Sequence, residues 1–399
     1  MDLKGARVAY QLFWLKRTMG VVMLALGVML TACQSVAGPL PAQRAGSGSP
    51  APAGAPAGQP GGSTTSSSGV NACPPAGSAT QLTGAGATFP APIYTRWFDE
   101  YSRLCNVQIN YQAIGSGGGI RQITQKTVDF GASDGIMTAE QKAAAPGIMH
   151  IPTVAGAVTP VYNLPGIQSG QLRLTGALLA SIYLGEITKW DDSRLKADNA
   201  SVNLPNQDII VIRRSDGSGT TNIFTSYLAA VSPAWQQRVG AGNSVSWPAG
   251  LGGEGNAGVA GQVRQLPGAI GYVEVAYAKQ NNMPWVAMKN QAGQYIEPTL
   301  QATTAAMEGV QIPPSTEVMI VNSANPQAYP IAGFTWILVY EDQGNPANAQ
   351  ALAHVLWWAI HDGQGLAGTL DYAPLSPAAQ QASEAQVKRI KAGGRSIIS

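Results

Sequence analysis

Charged side chains are scarce in this sequence. Asp, Glu, Lys and Arg make up only 12% of its 399 residues, and the formal net charge is +2. The first 32 residues hold four basic residues and one acid, so the rest of the chain sums to about −1. Binding to nucleic acid requires a basic surface, which this composition excludes. An anion would have to be held by local dipoles and by one or two arginines.

Histidine is also rare, which argues against several kinds of catalytic centre. The three histidines are His150, His354 and His361, and none lies near the Gly/Ser loops described below. A serine nucleophile needs such a base beside it. The P-loop pattern is absent, and no carboxylate–histidine cluster has metal-site spacing. We therefore predict no catalytic residue, no metal and no cofactor.

The clearest hydrophobic run without charge lies near the N-terminus. Residues 18–32 are almost purely apolar and follow Lys16-Arg17. This run is too short for a comfortable membrane span and fits a secretory signal. It closes with LTAC at residues 30–33, which resembles the lipobox of bacterial lipoproteins. We expect residues 1–32 to be a lipoprotein signal peptide and Cys33 to be lipidated, for example with palmitate. The alternative is a plain signal anchor with a chance cysteine.

The next segment has too few apolar side chains to fold. Residues 34–80 are rich in Pro, Gly, Ala, Ser and Thr and cannot bury enough apolar surface to offset the entropy of folding. Residues 33–80 are therefore interpreted as a lipidated cysteine and a flexible tether. The other two cysteines, Cys73 and Cys105, could pair in an oxidising compartment or could both remain free.

Glycine and hydroxyl residues are concentrated in one turn that follows a predicted strand. Residues 209–212 are a β-branched run typical of a buried strand, and a helical repeat begins a few residues after Thr220. Gly217 and Gly219 let a ligand approach the backbone, and Ser218 and Thr220 add hydroxyl donors. The start of a helix offers unpaired N–H groups and a positive dipole end. The stretch predicts an oxyanion site, and the alternative is an ordinary capped helix.

Other residues support the oxyanion interpretation. Arg214 carries a planar fork of donors suited to phosphate, and Asp216 could hold that fork in place. A second Gly/Ser turn lies at residues 114–119, and a predicted strand ends in Ser133-Asp134. The recurrence of such loops argues more strongly for an anion site than any one of them alone.

Strands and helices alternate along the chain, which predicts an α/β fold. Residues 82–90 are interpreted as a Gly-rich loop that enters a helix, and residues 229–242 as a continuing helix. Two long apolar strands are predicted at residues 154–162 and 334–340, where the chain would cross between two lobes and return.

Seven segments, taken together and in order, resemble the phosphate-binding proteins of bacterial phosphate ABC transporters (the PstS type). They are 82–94 (LTGAGATFPAPIY), 110–119 (NYQAIGSGGG), 128–134 (VDFGASD), 182–191 (IYLGEITKWD), 213–220 (RRSDGSGT), 245–253 (VSWPAGLGG) and 266–274 (LPGAIGYVE). The resemblance spans most of the chain from residue 82 and is loose between 285 and 330.

This resemblance implies a two-lobed periplasmic-binding-protein clamshell (type II) with two crossover strands. Lobe one would be residues 81–157 plus 334–399, and lobe two residues 158–333. The implied function is capture of inorganic phosphate outside the cytoplasm and its delivery to the membrane permease and ATPase subunits of an ABC transporter. The protein would be periplasmic or lipid-anchored to the outer face of the cell membrane.

The resemblance also implies a set of phosphate ligands. They are Thr88, Phe89 (backbone N–H), Ser116, Asp134, Arg214, Ser218, Gly219 (backbone N–H) and Thr220, with Asp216 as the partner of the arginine. The family often has Ser-Ser-Gly-Gly where this chain has Ser-Gly-Gly-Gly at 116–119, but Ser116 is kept. An aspartate that faces an anion is repulsive unless the anion donates a proton. Asp134 would therefore select phosphate, which keeps a proton near neutral pH, over sulfate.

Two other functions stay open on the sequence. A phosphatase or phosphotransferase could use the same scaffold, although the sequence offers it no convincing base or metal. A surface sensor or adhesin could use the lobes and the tether without transport.

Overall fold

The computed structural model describes residues 70–398, so Cys33, the signal before it and most of the tether lie outside the described residues. The strands described are β1 (Gln81–Gly86), β2 (Gln108–Ala113), β3 (Phe130–Ser133), β4 (Ile148–Tyr162), β5 (Arg173–Leu174), β6 (Ile210–Arg214), β7 (Leu251–Gly253), β8 (Ala269–Glu274), β9 (Ala287–Lys289), β10 (Tyr295–Ile296), β11 (Ala332–Tyr340), β12 (Asp342–Gln343), β13 (Lys391–Ala392) and β14 (Arg395–Ser396).

Helices separate most of these strands, and the predicted α/β class is confirmed. The helices are α1 (Ala91–Cys105), α2 (Ser116–Thr124), α3 (Ala139–Ala144), α4 (Gly176–Tyr183), α5 (Ser193–Asp198), α6 (Gly219–Val231), α7 (Pro233–Arg238), α8 (Gly255–Gln265), α9 (Val275–Gln280), α10 (Leu300–Met307), α11 (Pro346–Ile360), α12 (Gln364–Ala367) and α13 (Pro377–Lys388). Between residues 70 and 398, no helix combines the length and the hydrophobicity needed to cross a membrane.

The largest sheet has eight strands in the order β2-β1-β3-β11-β4-β8-β6-β7. β1 pairs in parallel with β2 and β3, and β6 pairs in parallel with β7 and β8. The central strands β11 and β4 are antiparallel to each other. Two parallel blocks of three strands therefore flank a central antiparallel pair.

β4 connects the two blocks. Its residues up to Ala157 pair with β11, and from Val158 onwards its partner is β8. Nearly every residue of this 15-residue strand is buried, as expected for a strand covered on both faces. The chain thus passes from one block to the other within a single strand.

The first strand corrects one interpretation of the sequence. The glycines of residues 82–86 predict a loop, but these residues form β1, paired on both sides by β2 and β3. A Cβ on Gly84 would lie 2.1 Å from the ring of Phe130 on β3. The packing of β1 against β3 therefore requires glycine at this position. A glycine-rich sequence is also typical of loops, which is why the pattern was misleading.

The predicted helix at 229–242 is also wrong in part. α6 ends at Val231, and a separate short helix, α7, follows from Pro233 to Arg238. Ser232 Oγ accepts the Trp235 N–H at 3.2 Å and caps the second helix. Proline at the first position fits a helix start, and its missing N–H prevents continuation of the preceding helix.

A disulfide joins Cys73 to Cys105, the last residue of α1. The Tyr101 hydroxyl donates to the Ala72 carbonyl at 3.0 Å, and His354 Nδ1 lies 2.9 Å from the Asn71 carbonyl. The composition assigned residues 70–80 to the flexible tether. The structure instead holds them on the fold through the disulfide and these hydrogen bonds.

Candidate functional site

Two helix N-termini meet beside the carboxyl ends of β1, β3 and β6. The Gly219 N–H at the start of α6 donates to Ser116 Oγ at the start of α2, over 2.9 Å. The Gly117 N–H donates to the Gly217 carbonyl at 2.8 Å. A Cβ on Gly117 would lie 3.1 Å from the Gly217 Cα, so this approach requires a small residue. Two predicted anion-binding helix starts therefore face each other.

A buried arginine lies at the end of β6. Arg214 is 2% exposed, and its Nε donates to Asp216 Oδ1 at 2.7 Å. Arg214 Nη2 also bonds the other carboxylate oxygen of Asp216. Burial raises the pKa of Asp216, but the Arg214 guanidinium and the Gly255 N–H outweigh that effect, so the pKa lies below its usual range. The carboxylate fixes the guanidinium, whose Nη1 reaches Thr220 Oγ1 at 3.4 Å.

A buried carboxyl group follows β3 on the opposite side of the site. The side chain of Asp134 accepts the Thr335 hydroxyl on Oδ1 at 2.8 Å. Burial raises its pKa to about 7, although the Thr335 bond and the charge of Arg214 act to lower it. A Cβ on Gly219 would lie 2.5 Å from Asp134 Oδ2, so this oxygen abuts the start of α6. Asp134 is therefore placed to accept a hydrogen bond from a protonated ligand at that helix.

Asn256 connects the loops of the two blocks, and this role was not predicted from the sequence. Its Nδ2 donates to Thr88 Oγ1 at 2.8 Å and to Thr220 Oγ1 at 3.0 Å. Its own N–H donates to Thr88 Oγ1 at 3.2 Å, and its Oδ1 accepts the Glu274 N–H at 2.9 Å. Asn256 lies 168 residues from Thr88, so no local pattern signals the contact.

Two tyrosines hold the backbone beside Phe89. The Tyr277 hydroxyl donates to the Thr88 carbonyl at 2.6 Å, and the Tyr372 hydroxyl donates to the Phe89 carbonyl at 2.6 Å. The Phe89 side chain is fully buried and meets the Tyr372 ring edge-on, with ring centroids 6.2 Å apart. The loop that contains two predicted ligands is thus fixed through its carbonyl groups.

A second buried carboxyl group, Glu274, lies behind this loop. Its Oε2 accepts the Ala276 N–H at 2.9 Å and lies 3.0 Å from the Tyr372 hydroxyl. Burial raises the pKa of Glu274 well above its usual range. Burial therefore disfavours a negative charge on Glu274 behind the site.

Ser218 acts as a helix cap. Its Oγ accepts the Thr221 N–H at 3.0 Å, which satisfies one free donor at the start of α6. The three histidines bond elsewhere: His150 to Met137 and Glu317, His354 to Asn71, and His361 to Trp357 and Glu384. In the part of the chain that the structure describes, Ser218 has no histidine base and no group of His, Cys, Asp or Glu could hold a metal ion.

The structure brings all nine predicted site residues together. They are Thr88, Phe89, Ser116, Asp134, Arg214, Asp216, Ser218, Gly219 and Thr220. Five supporting residues were not predicted from the sequence, because they come from distant parts of the chain: Asn256, Glu274, Tyr277, Thr335 and Tyr372. The site combines neutral donors, one paired guanidinium and one carboxyl acceptor. It suits a small oxyanion that carries a proton.

Comparison with protein families gives a match over most of the described residues. Residues 71–362 match the model of a PBP superfamily domain. The matched segment includes all nine predicted site residues.

Curated relatives and solved structures extend this match. The chain is 45% identical over 289 residues to the phosphate-binding protein PstS of Haemophilus influenzae, covering 72% of this chain and 86% of that protein. It is 43% identical over 302 residues to the PstS protein of Pasteurella multocida, covering 75% and 88%. A high-affinity periplasmic phosphate-binding protein, solved with phosphate bound, superposes with a TM-score of 0.62 at 20% identity, covering 76% of this chain and 93% of that one.

Proposed function

The chain belongs to the PstS family of phosphate-binding proteins, and on that premise we propose that it captures inorganic phosphate outside the cytoplasm for import by an ABC permease. The observation that carries the proposal is the buried cluster of neutral donors around Arg214 and Asp134. The PstS names of the relatives and the phosphate-bound structure of similar fold support the same ligand.

We assign the anion eight ligands, which lie at the ends of strands and the starts of helices. The backbone donors would be the N–H groups of Phe89 and Gly219, and the side-chain donors would be Arg214 and the hydroxyl groups. Ser116 Oγ and the Gly219 N–H bond each other in the structure, so binding exchanges that contact for bonds to the anion. A site of neutral dipoles holds a charge without a large opposing net charge.

Asp134 makes the site selective for phosphate over sulfate. Its Oδ1 is occupied by Thr335, and its Oδ2 lies against the start of α6, where the anion would bind. When Asp134 is ionised, the protonated phosphate oxygen donates to its carboxylate, whereas sulfate has no proton to donate. An unpaired carboxylate against a bare anion is strongly unfavourable, so sulfate is rejected.

The two blocks of the sheet would act as the two lobes of a clamshell. The change of partner along β4, between Ala157 and Val158, supports a boundary at residues 157 and 158, with the return at about residue 333. Thr88 would lie on one lobe, and Asn256 and Thr220 on the other. Phosphate that bridges them favours the closed form, which the permease and its ATPase subunits would recognise.

The N-terminal residues would keep the protein at the outer face of the cell membrane. We infer that Cys33 is lipidated and that the tether after it lets the binding domain reach the permease. This part of the proposal rests on the LTAC sequence at 30–33 and on the export expected of the family.

Titration calorimetry with phosphate and sulfate tests the ligand assignment. We expect the purified protein to bind phosphate and not sulfate, and Arg214→Ala to lose at least about 100-fold in phosphate affinity. The control is Arg103→Ala on α1, which removes the same charge from an exposed side chain that pairs only with Glu100 among the described ion pairs. Wild-type affinity in Arg214→Ala would refute the site.

The same titration tests the selectivity of Asp134. In Asp134→Asn the carboxylate is replaced by a neutral amide, so the ratio of sulfate to phosphate affinity should rise by about tenfold or more. The exposed Asp99→Asn serves as the control. An unchanged ratio would contradict the acceptor role. Turnover of a chromogenic phosphate ester would instead favour a phosphatase, for which Ser218 lacks a base.

A further inference from the structure

Three consecutive carbonyl groups of the loop between β1 and α1, residues 87–90, each accept a hydrogen bond from a tyrosine hydroxyl. The bonds run from Tyr111 to Ala87 (2.7 Å), from Tyr277 to Thr88 (2.6 Å) and from Tyr372 to Phe89 (2.6 Å). Three successive carbonyls with the same kind of partner leave the loop little rotational freedom.

The middle bond acts on a predicted ligand. The Thr88 carbonyl and the Phe89 N–H belong to the same peptide group, which is planar and trans. They point in opposite directions, so a donor that fixes the carbonyl also fixes the direction of the N–H. Phe89 is fully buried, and its N–H has no acceptor among residues 70–398. A buried donor without an acceptor costs free energy unless a ligand satisfies it.

The three tyrosines come from different places in the fold. Tyr111 is on β2 and Tyr372 follows α12, both in the part of the chain assigned to lobe one. Tyr277 is on α9, which directly follows β8 in the part assigned to lobe two. The bond from Tyr277 therefore spans the proposed cleft, and it exists only when the lobes lie as they do in this structure.

We propose that Tyr277 is a positioning residue that couples closure of the lobes to the orientation of the Phe89 N–H toward phosphate. This inference rests on the proposed function. Opening the cleft would break the bond to the Thr88 carbonyl and release the peptide group. Closing it would restore the bond and turn the donor to the anion, so the ligand would be held fully only in the closed form.

The chemistry of Tyr277 suits this role. Burial raises the pKa of its hydroxyl, and the neighbouring Glu274 acts in the same direction. The hydroxyl therefore keeps its proton and can donate near neutral pH. Another contact across the proposed cleft comes from the same helix, where Lys279 Nζ lies 2.5 Å from Asp371 Oδ1. That ion pair holds the lobes but does not touch the loop at residues 87–90.

The test combines calorimetry with NMR of the Phe89 amide. Labelling with ¹⁵N-phenylalanine limits the spectrum to the six phenylalanines of the chain. In the wild-type protein we expect phosphate to shift the Phe89 amide proton downfield. In Tyr277→Phe we expect a smaller shift and a loss of about five- to tenfold in phosphate affinity, the range expected for one hydrogen bond.

Two controls separate positioning from a general effect on stability or closure. Tyr162→Phe removes a hydroxyl that donates to the Gln168 carbonyl, also at 2.6 Å, and should change neither quantity. Lys279→Met should weaken closure and leave the Phe89 shift in the saturated complex at its wild-type value.

Each outcome is informative. Wild-type affinity and shift in Tyr277→Phe would overturn the inference and leave the phosphate function intact. A loss of affinity with an unchanged Phe89 shift would mean that Tyr277 only holds the lobes together. This outcome would also overturn the inference. A wild-type protein that does not bind phosphate would refute the proposed function and the inference together. If Tyr277→Phe failed to fold, the absence of a downfield Phe89 shift in the wild-type complex would overturn the inference.

Discussion

At the scale of single residues, the site contains two aspartates in opposite environments, the half-buried Asp216 and the buried Asp134. Asp216 bonds Arg214 through both carboxylate oxygens, and its pKa lies below the usual range. Asp134 has one hydroxyl partner, and burial raises its pKa to about 7. The first therefore acts as a fixed negative partner of the arginine. The second keeps an oxygen available for a ligand at a cost in stability.

That cost predicts a pH dependence. The folded-state pKa of Asp134 is about 7, against 3.8 for the free side chain. The folded protein therefore holds a proton that the unfolded chain releases, and its stability falls as pH rises through this window. A neutral amide has no proton to lose, so Asp134→Asn should be more stable than wild type by roughly 4 kcal/mol at about pH 8 without phosphate. The difference should approach zero near pH 4.

Urea unfolding in phosphate-free buffer at acidic and alkaline pH measures this difference. The control is Asp99→Asn, because Asp99 is exposed and should show the same stability as wild type at both ends of the window. If Asp134→Asn were less stable than wild type at alkaline pH, burial of the ionised carboxylate would not destabilise the protein, and the prediction would be wrong.

At the scale of secondary-structure elements, the starts of α2 and α6 determine the shape of the site. Both helices follow strands of a parallel block, and both begin with small residues at the point of contact. The cap of α6 is Ser218, whereas Gly115, with φ of 82°, precedes α2. Glycine is the residue that adopts this left-handed conformation readily. The turn at Gly115 thus lets α2 begin directly beside the start of α6.

Gly219→Ala should disable the site without unfolding the helix. A Cβ at this position would lie 2.5 Å from both the N and the Oδ2 of Asp134, so α6 and β3 must separate. We expect phosphate affinity to fall at least about tenfold by calorimetry. The matched control is Gly261→Ala within α8, where a Cβ meets nothing within 4 Å. There alanine should raise stability by about 0.5–1 kcal/mol and leave affinity unchanged. Equal affinity in both variants would contradict the contact.

At the scale of the whole molecule, one long strand joins two parallel blocks whose loops meet at a single site. The family resemblance and the fold class expected from the sequence are confirmed by the family match and by the structural neighbours. The division into lobes at residues 157 and 333 remains a prediction. The predicted lipid anchor lies outside the described residues.

The anchor predicts where the protein is found in the cell. Cys33→Ser removes the thiol that would receive the lipid, so the protein should move from the membrane fraction to the soluble exported fraction. Fractionation and immunoblotting measure this change, and Ser35→Ala, two residues along the chain, is the control. Acylation that persists in Cys33→Ser would refute the lipidation site.

The predicted ligands were recognisable because each lies in a short motif where a strand ends and a helix begins. The errors arose where a local pattern was ambiguous. Residues 82–86 have the glycines of a loop, but pairing on both sides makes them a strand. The helix predicted from 229 is interrupted at Ser232 and Pro233, a break that the proline could have signalled.

Short-range patterns in the sequence were sufficient for the family and the α/β class, and they supplied the ligands proposed for the oxyanion. The way in which the ligands are held depends instead on tertiary structure. Asn256 and Tyr277 lie 168 and 189 residues from their partner Thr88 in the chain. Thr335 lies 201 residues from its partner Asp134. No spacing rule relates such residues, since packing of the two blocks brings them together. The raised pKa of Asp134 has the same origin, because burial is a property of the folded chain and not of any motif.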